Sequence, residues 1–400
     1  MRVLRLQLRQ FRNYWQLDFA PAAGPNIFLG ANAQGKSNLL EALVLLSTAR
    51  SHRTSADHNL IHTSALDDPL PYAYLAANLE GGPHRQVDLV ITARRENSAI
   101  TTQRAARLDG KRCRLLDVLG ALPTVLFTPE DLSLLTGPPA LRRRYLDLLL
   151  CQVSPAYSRA LATYNKALLH RNSLLRLLKQ RRGDREQLHF YDKLLAEHGA
   201  TLVAHRAGAV AEMSPAATKL HAQMAAGDEL SLSYMPALPS WDGRANPQLL
   251  EATLLGSLQS LWAQDIERGS TSLGPHRDDL RLQLNGQPAT AFASRGQLRT
   301  AALSLRLTEA WYMEGKLGRE PVLLLDDVMS ELDQSRRLAL EEILRQKEQS
   351  FLTALEESVF SPGFLASAAL YAICAGELKP YLRRGAAVPE PPRDEGNAPA

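Results

Sequence analysis

Apolar residues recur along the chain with two periods, near 2 and near 3.6, and the places where the period changes divide it into segments. Val3, Leu4, Leu6, Leu8 and Phe11 lie in an apolar-rich stretch, and Ile27-Phe28-Leu29 is a short run ending at Gly30; residues 2–30 read as two strands. Past a glycine loop, Leu40, Leu43, Val44 and Leu46 take helical spacing from Ser37 to Ala49, so the order is strand, loop, helix. Further strands are expected at Tyr72 to Leu79 and Gln86 to Ala93, and Asp109-Gly110 favours a hairpin turn between Leu108 and Lys111.

From Pro138 to about Leu261 the spacing becomes that of long helices, with Tyr145, Leu148, Leu149, Leu161, Tyr164, Leu168, Leu175 and Leu178 on one face. Arg181-Arg182-Gly183-Asp184 marks a hairpin tip between arms of roughly 30 residues, or about 45 Å at 1.5 Å per residue. Strand character returns at Leu280 to Leu284, turned by Asn285-Gly286, and a helix from Gly296 to Gly315 leads to the apolar strand Val322 to Leu325. Beyond Arg383, Pro389, Pro391, Pro392 and Pro399 among glycine and charge predict a disordered tail. The expected layout is an α/β first lobe over 1–137, an inserted, mainly helical lobe over 138–265, a segment 266–382 that rejoins a mixed sheet, and a tail over 383–400.

Composition narrows the class. Apolar residues make up 45% of 400, enough to fill real cores. No run of about 18 apolar residues occurs, and Met1 to Arg5 enters strand-like sequence directly, so neither a membrane partner nor export is expected. Cys113, Cys151 and Cys374 are far apart and lack a CxxC or a nearby His pair, which speaks against disulfides and zinc and fits the cytoplasm. The net charge of +4 identifies no partner by itself.

Three motifs carry chemistry. Gly30-Ala31-Asn32-Ala33-Gln34-Gly35-Lys36-Ser37, followed by Asn38, fits G-x-x-x-x-G-K-[ST] between a buried strand and a helix. In that setting backbone N–H groups face phosphate, Lys36 neutralises the β/γ oxygens, and Ser37 Oγ ligates Mg²⁺, so ATP with Mg²⁺ is the expected cofactor. Val322-Leu323-Leu324-Leu325-Asp326-Asp327 is an apolar strand ending in two acids: Asp326 to hold Mg²⁺, and Asp327 to orient the attacking water. Taken alone, these acids would serve equally as a turn cap. Ser294-Arg295-Gly296-Gln297, about 30 residues earlier, opens a helix with a hydroxyl residue and a glycine, which suits an anion but equally a plain Ser cap. It resembles the ABC signature motif, and Ser330-Glu331-Leu332-Asp333 follows the acidic strand at the spacing of a D-loop. In ABC ATPases the signature meets the γ-phosphate held by the opposite subunit. That resemblance makes Ser294, with Gly296 and Gln297, a partner to Lys36 and Asp327 across a dimer.

Longer stretches are similar to the RecF family. Phe11-Arg12-Asn13-Tyr14 resembles its opening strand, which implies that Arg12 and Asn13 touch ATP. Pro129-Glu130-Asp131-Leu132, Gly137-Pro138-Pro139 with Arg142-Arg143-Arg144-Tyr145-Leu146-Asp147, Gly274 to Asp279, Ala293 to Thr300 and Leu325 to Asp333 also look like family blocks. The resemblance implies an ABC-type P-loop ATPase head whose ATP-bound homodimer binds single- and double-stranded, gapped DNA. It further implies a weak, DNA-stimulated ATPase working with RecO and RecR in recombinational repair, replication restart and the SOS response. Asp327 stands where most ABC ATPases carry Glu, which suggests slow hydrolysis. No switch histidine is evident at Gln349 to Thr353, no Q-loop glutamine is found, and His276 is open between a structural and a site role.

Charge is clustered. Between Arg142 and Arg206 thirteen Lys/Arg meet five Asp/Glu, and between Arg94 and Arg114 seven basic residues meet two acids. Such patches suit a phosphate backbone, with Arg112, Arg114, Arg142, Arg143, Arg181 and Arg182 as candidate DNA contacts, although solvated helix faces look the same. Two rivals remain. The long gap between phosphate loop and signature disfavours a transporter's nucleotide-binding subunit, and the lack of a separate carboxylate/His cluster disfavours an ABC-type nuclease.

Overall fold

The computed structural model describes residues 1–381 except 97, 98, 226, 240, 242, 244 and 245; the tail expected from Arg383 lies outside the described residues. In chain order the strands are β1 (Arg2–Phe11), β2 (Tyr14–Phe19), β3 (Gly24–Leu29), β4 (Tyr72–Glu80), β5 (Gln86–Glu96), β6 (Ala99–Leu108), β7 (Lys111–Cys113), β8 (Thr124–Phe127), β9 (Leu230–Met235), β10 (Asp279–Leu284), β11 (Gln287–Pro288), β12 (Val322–Asp326), β13 (Gln349–Ala354), β14 (Ala369–Cys374) and β15 (Glu377–Pro380). The helices are α1 (Lys36–Thr48), α2 (Leu132–Thr136), α3 (Pro139–Val153), α4 (Pro155–Lys179), α5 (Gln187–Met224), α6 (Pro247–Ser260), α7 (Trp262–Arg268), α8 (Ala289–Phe292), α9 (Arg295–Leu317), α10 (Gln334–Arg345) and α11 (Pro362–Ser367).

Two six-stranded sheets enclose α1. One is antiparallel, ordered β2-β1-β4-β5-β6-β7; the other, β15-β14-β3-β13-β12-β8, is parallel apart from its edge strand β15. Residues 2–30 thus hold three strands where two were expected. The chain reverses at Arg12-Asn13, with Arg12 at φ +54°, and no glycine or proline there announces the turn. Strand geometry sends alternate residues of β12 to opposite cores. Val322 and Leu324 pack with Leu39 to Leu46 of α1 and with Val3, Leu6 and Leu8, whereas Leu323 and Leu325 join the helical core. Burial on both faces is why β3 and β12 read as unbroken apolar runs.

The inserted lobe is built on the α4–α5 hairpin, which turns at the expected tip. Ser154 caps α4 through Tyr157 N–H at 3.2 Å, and Pro155 follows at the first helical position. The lobe is not helical throughout: β9 falls inside it and pairs with β10, in a three-stranded sheet ordered β11-β10-β9. Buried ion pairs hold the helices in place. Arg171 binds Asp192 at 2.7 Å and Asp265 at 2.6 Å with all three side chains inaccessible, and Arg206 binds Asp147 at 2.7 Å and Asp278 at 3.2 Å. Losing one partner of such a pair costs about 3–5 kcal/mol, because the other charge stays buried. His276 belongs to this framework: its Nδ1 meets Tyr164 Oη at 2.7 Å, its Nε2 lies 3.2 Å from Thr271 O, and burial drives its pKa down to about 4.

Among the described residues no helix is long and apolar enough to cross a membrane.

Candidate nucleotide site

Parallel pairing brings the carboxyl ends of β3, β13, β12 and β8 to one edge, where ligands of open α/β sheets bind. β3 delivers Gly30 there, and residues 30–35 wrap into the first turn of α1. Two glycines are sterically compelled. A Cβ on Gly30 would lie 2.4 Å from Ile373 O; at Gly35, with φ +119°, it would lie 2.7 Å from Asn13 Nδ2.

The loop is gripped from two sides. On one, Asn13 Nδ2 donates to Gln34 O at 2.8 Å, Tyr14 Oη donates to Gly35 O at 3.0 Å, and Asn38 Nδ2 donates to Asn13 Oδ1 at 2.8 Å. On the other, the β14–β15 turn gives Ala375 N–H to Gln34 Oε1 at 2.7 Å and Gly376 N–H to Gln34 O at 3.1 Å. Arg12 and Asn13, expected beside ATP, are engaged with the protein itself. Arg12 holds both oxygens of the buried Glu41 at 2.9 and 2.8 Å and donates to Asn59 O, while Asn13 fixes the loop from behind. Ala31, Asn32, Ala33 and Gln34 form the crest of the loop, of which Ala31, Asn32 and Ala33 are exposed.

Lys36, Ser37, Asp326 and Asp327 come together as expected. Lys36 Nζ donates to Gly30 O at 2.5 Å and Ala31 O at 2.9 Å; burial lowers its pKa, against the opposing pull of Asp327 and Asp326. Ser37 Oγ donates to Asp326 Oδ1 at 2.9 Å. Asp327 sits at φ +52°, and burial pushes its carboxyl pKa up. Thr353, at the site from β13, was missed by sequence reasoning: its Oγ1 donates to Asp326 Oδ1 at 2.7 Å and accepts from Asp327 N–H at 2.9 Å. Only the register pairing Asp326 with Thr353 reveals it.

The signature segment stands apart. Ser294 and Gln297 form a reciprocal cap on α9, Ser294 Oγ accepting from Gln297 N–H at 3.3 Å and Gln297 Oε1 from Ser294 N–H at 2.9 Å. Gln297 Nε2 reaches Asp228 at 3.0 Å. Ser294 is exposed, and among the described residues nothing in 294–297 bonds to the phosphate loop or to Asp326-Asp327.

The candidate DNA contacts divide. Arg142 is corrected: it is buried, pairs with Asp279 at 2.7 Å and donates to Gly137 O at 2.7 Å, so it locks α3 to β10 instead of facing solvent. Arg143 is half-buried and donates to Asp278 O at 2.7 Å. Arg114 is exposed but paired with Asp117 at 2.8 Å; Arg112, Arg181 and Arg182 are exposed. With Arg142, Arg171 and Arg206 buried, the stretch 142–206 still presents nine exposed basic residues against three exposed acids.

A phosphate loop, an acidic strand end and a detached signature helix, set on an antiparallel sheet, a parallel sheet and a helical insert, define the ABC-class ATPase head of the SMC type. Residues 2–373 match the RecF/RecN/SMC N-terminal domain family. The chain belongs to the RecF family of DNA replication and repair proteins. It is 41% identical over 379 residues to the DNA replication and repair protein RecF of Herpetosiphon aurantiacus, covering 92% of this chain and 96% of that one. It is 40% identical over 393 residues to that of Roseiflexus castenholzii, covering 95% and 100%. Among solved structures it resembles the recombination mediator protein RecF of the RecFOR pathway with ATP (TM-score 0.83, 30% identity, 95% and 97% covered). An Smc head from Pyrococcus furiosus shares the fold alone (TM-score 0.52, 16% identity, 94% and 95% covered).

Proposed function

We propose that this chain is an ATP-driven recombination mediator whose two copies close around two ATP molecules on DNA. One observation carries the reading. The groups suited to phosphate and Mg²⁺ gather at one sheet edge, while the signature helix ends in solvent with no bond to them, so a complete site needs a second copy. Ser37 Oγ and the Asp326 carboxylate are hard oxygen donors that already converge, the donor type Mg²⁺ takes, and they would hold the ion. Bound there, Mg²⁺ supplies charge neutralisation for the β- and γ-phosphates.

The protein's own steps follow from the site. Lys36 releases the loop carbonyls and turns to the phosphates. Asp327, its carboxyl made more basic by burial, accepts the proton of the attacking water, with Thr353 holding its backbone in place. Aspartate reaches less far than glutamate, in keeping with slow turnover that times a clamp more than it makes product. The exposed basic residues of the helical lobe fit a DNA backbone without base reading. By family likeness the substrate is gapped or single-strand–double-strand junction DNA, the site of action is the cytoplasm, and RecO and RecR are partners in repair, replication restart and the SOS response; DNA speeds hydrolysis.

Sedimentation with ATP and gapped DNA tests this. Wild type should dimerise with ATP, Lys36→Met should lose ATP binding and dimers together, and Ser294→Arg should bind ATP yet stay monomeric. A Ser294→Arg protein that still dimerises with ATP refutes the composite site.

A further inference from the structure

Three side chains far apart in sequence form one directed run of hydrogen bonds that ends at the cap of α9. It begins in the turn between β10 and β11, where Asn285 N–H donates to Glu229 O at 2.9 Å and Asn285 Oδ1 accepts from Glu229 N–H at 2.8 Å. With its oxygen so engaged, the Asn285 amide turns Nδ2 to Asp228 Oδ1, 57 positions away in sequence, at 2.9 Å. Asp228 Oδ2 accepts from Gln297 Nε2, 69 positions away, at 3.0 Å, which leaves Gln297 Oε1 to accept from Ser294 N–H at 2.9 Å. Each link dictates the next. A carboxylate can only accept, so Asp228 decides which end of the Gln297 amide faces it. Reversed, that amide would set a donor against Ser294 N–H, and the reciprocal cap would open. The donors on Asn285 and Gln297 hold the Asp228 carboxyl below the usual carboxylate range, so it remains an acceptor.

Resting on the composite site proposed above, we infer that Asp228 is a positioning residue for the signature, locking the Gln297 amide, and through it Ser294, in one orientation before a second copy arrives. The Asp228 side chain is half-buried and precedes β9, outside the ladder that β9 forms with β10, so it serves neither the core nor the sheet. Ser294 is exposed, and no packing fixes its direction. The run from Asn285 supplies that direction from the small sheet of the inserted lobe. A negative charge near the start of α9 would also favour the helix dipole. The two roles differ in one respect: the dipole needs nothing from Gln297, whereas the lock works only through it.

A double-mutant cycle tests the inference, because a residue that acts through Gln297 has nothing to act on once Gln297 is removed. ATP-dependent dimerisation by sedimentation and phosphate release would be measured for Asp228→Ala, Gln297→Ala and the double variant. Asp228→Ala should weaken dimerisation and slow turnover on the order of 10-fold to 100-fold, with ATP binding by the isolated chain and the urea midpoint near wild type. Asp228→Asn keeps one acceptor but no fixed choice of ends, and should fall between. In the Gln297→Ala background, Asp228→Ala should add less than about twofold. Full additivity overturns the lock, in favour of a charge acting on the helix dipole. With wild type dimerising normally, unchanged dimerisation and turnover in Asp228→Ala or in Gln297→Ala overturns the inference alone. A loss in Asp228→Ala that comes with a fallen urea midpoint and is shared equally by Asp228→Asn also overturns it, by making the carboxylate a brace of the fold. A wild type that never dimerises with ATP overturns the composite site and the inference together.

Discussion

Thr353→Val is the sharpest test of the acidic edge, because valine keeps the shape of threonine and removes only the hydroxyl. That hydroxyl is buried and makes two bonds, donating to Asp326 Oδ1 at 2.7 Å and accepting from Asp327 N–H at 2.9 Å. The first is charge-assisted and the second satisfies a backbone donor beside a residue held at φ +52°. Losing a bond to a charge and orphaning an N–H costs about 2.5–6 kcal/mol in total. Most of it should appear locally, as an Asp326 carboxylate held by Ser37 alone and an Asp327 that drifts. Partners of this kind, one bond behind a residue proposed to hold Mg²⁺, typically change metal affinity or activity on the order of 10-fold to 100-fold. Phosphate release at saturating ATP, repeated across a Mg²⁺ titration, should show both a higher Mg²⁺ requirement and slower turnover, with ATP binding itself little changed. Thr353→Ser restores the hydroxyl and should recover most of the loss. Wild-type Mg²⁺ dependence in Thr353→Val, or equal damage in Thr353→Ser, would refute the reasoning.

Other outcomes follow from the same geometry. Gly376→Ala puts a Cβ 2.2 Å from Asn13 O at a φ of +80°, so the phosphate loop should lose one of its two grips. A strain of about 1.4 kcal/mol or more means about tenfold weaker ATP binding by calorimetry. Asp327→Asn should slow hydrolysis and prolong the dimer in sedimentation, whereas normal turnover would assign the water-orienting role elsewhere. His276 gives a pH signature: its folded pKa of about 4 lies below the ordinary 6.5, so between those values the unfolded chain binds a proton that the folded one refuses. Its contribution is complete above pH 6.5 and is lost on acidification by up to about 1.4 kcal/mol per pH unit, so urea midpoints of wild type should fall more steeply from pH 6.5 to 4 than those of His276→Asn.

What the sequence made legible was contiguous. Gly30 to Ser37 and Val322 to Asp327 announce themselves because each packs its chemistry into one short segment, with buried strands reading as apolar runs. Features that depend on residues far apart stayed hidden. Arg142 looked like part of a basic patch because its counter-ion, Asp279, is 137 positions away, and Thr353 looked like an ordinary strand residue until β13 was set beside β12. The Arg12-Asn13 reversal carries positive φ without glycine, so the first strands merged in the reading. Strand β9 hides among helices because its pairing partner comes some 45 residues later, on β10.

The grip on the phosphate loop also orders events during synthesis. Strand β14, next to β3 in the sheet, and the turn after it are among the last described parts of the chain to leave the ribosome, yet they brace a loop translated more than 330 residues before. A nascent chain that has finished its glycine loop and even its acidic strand still lacks Ala375 and Gly376. Competence to hold nucleotide should therefore arrive late, and polypeptides stalled before residue 370 should be released without it.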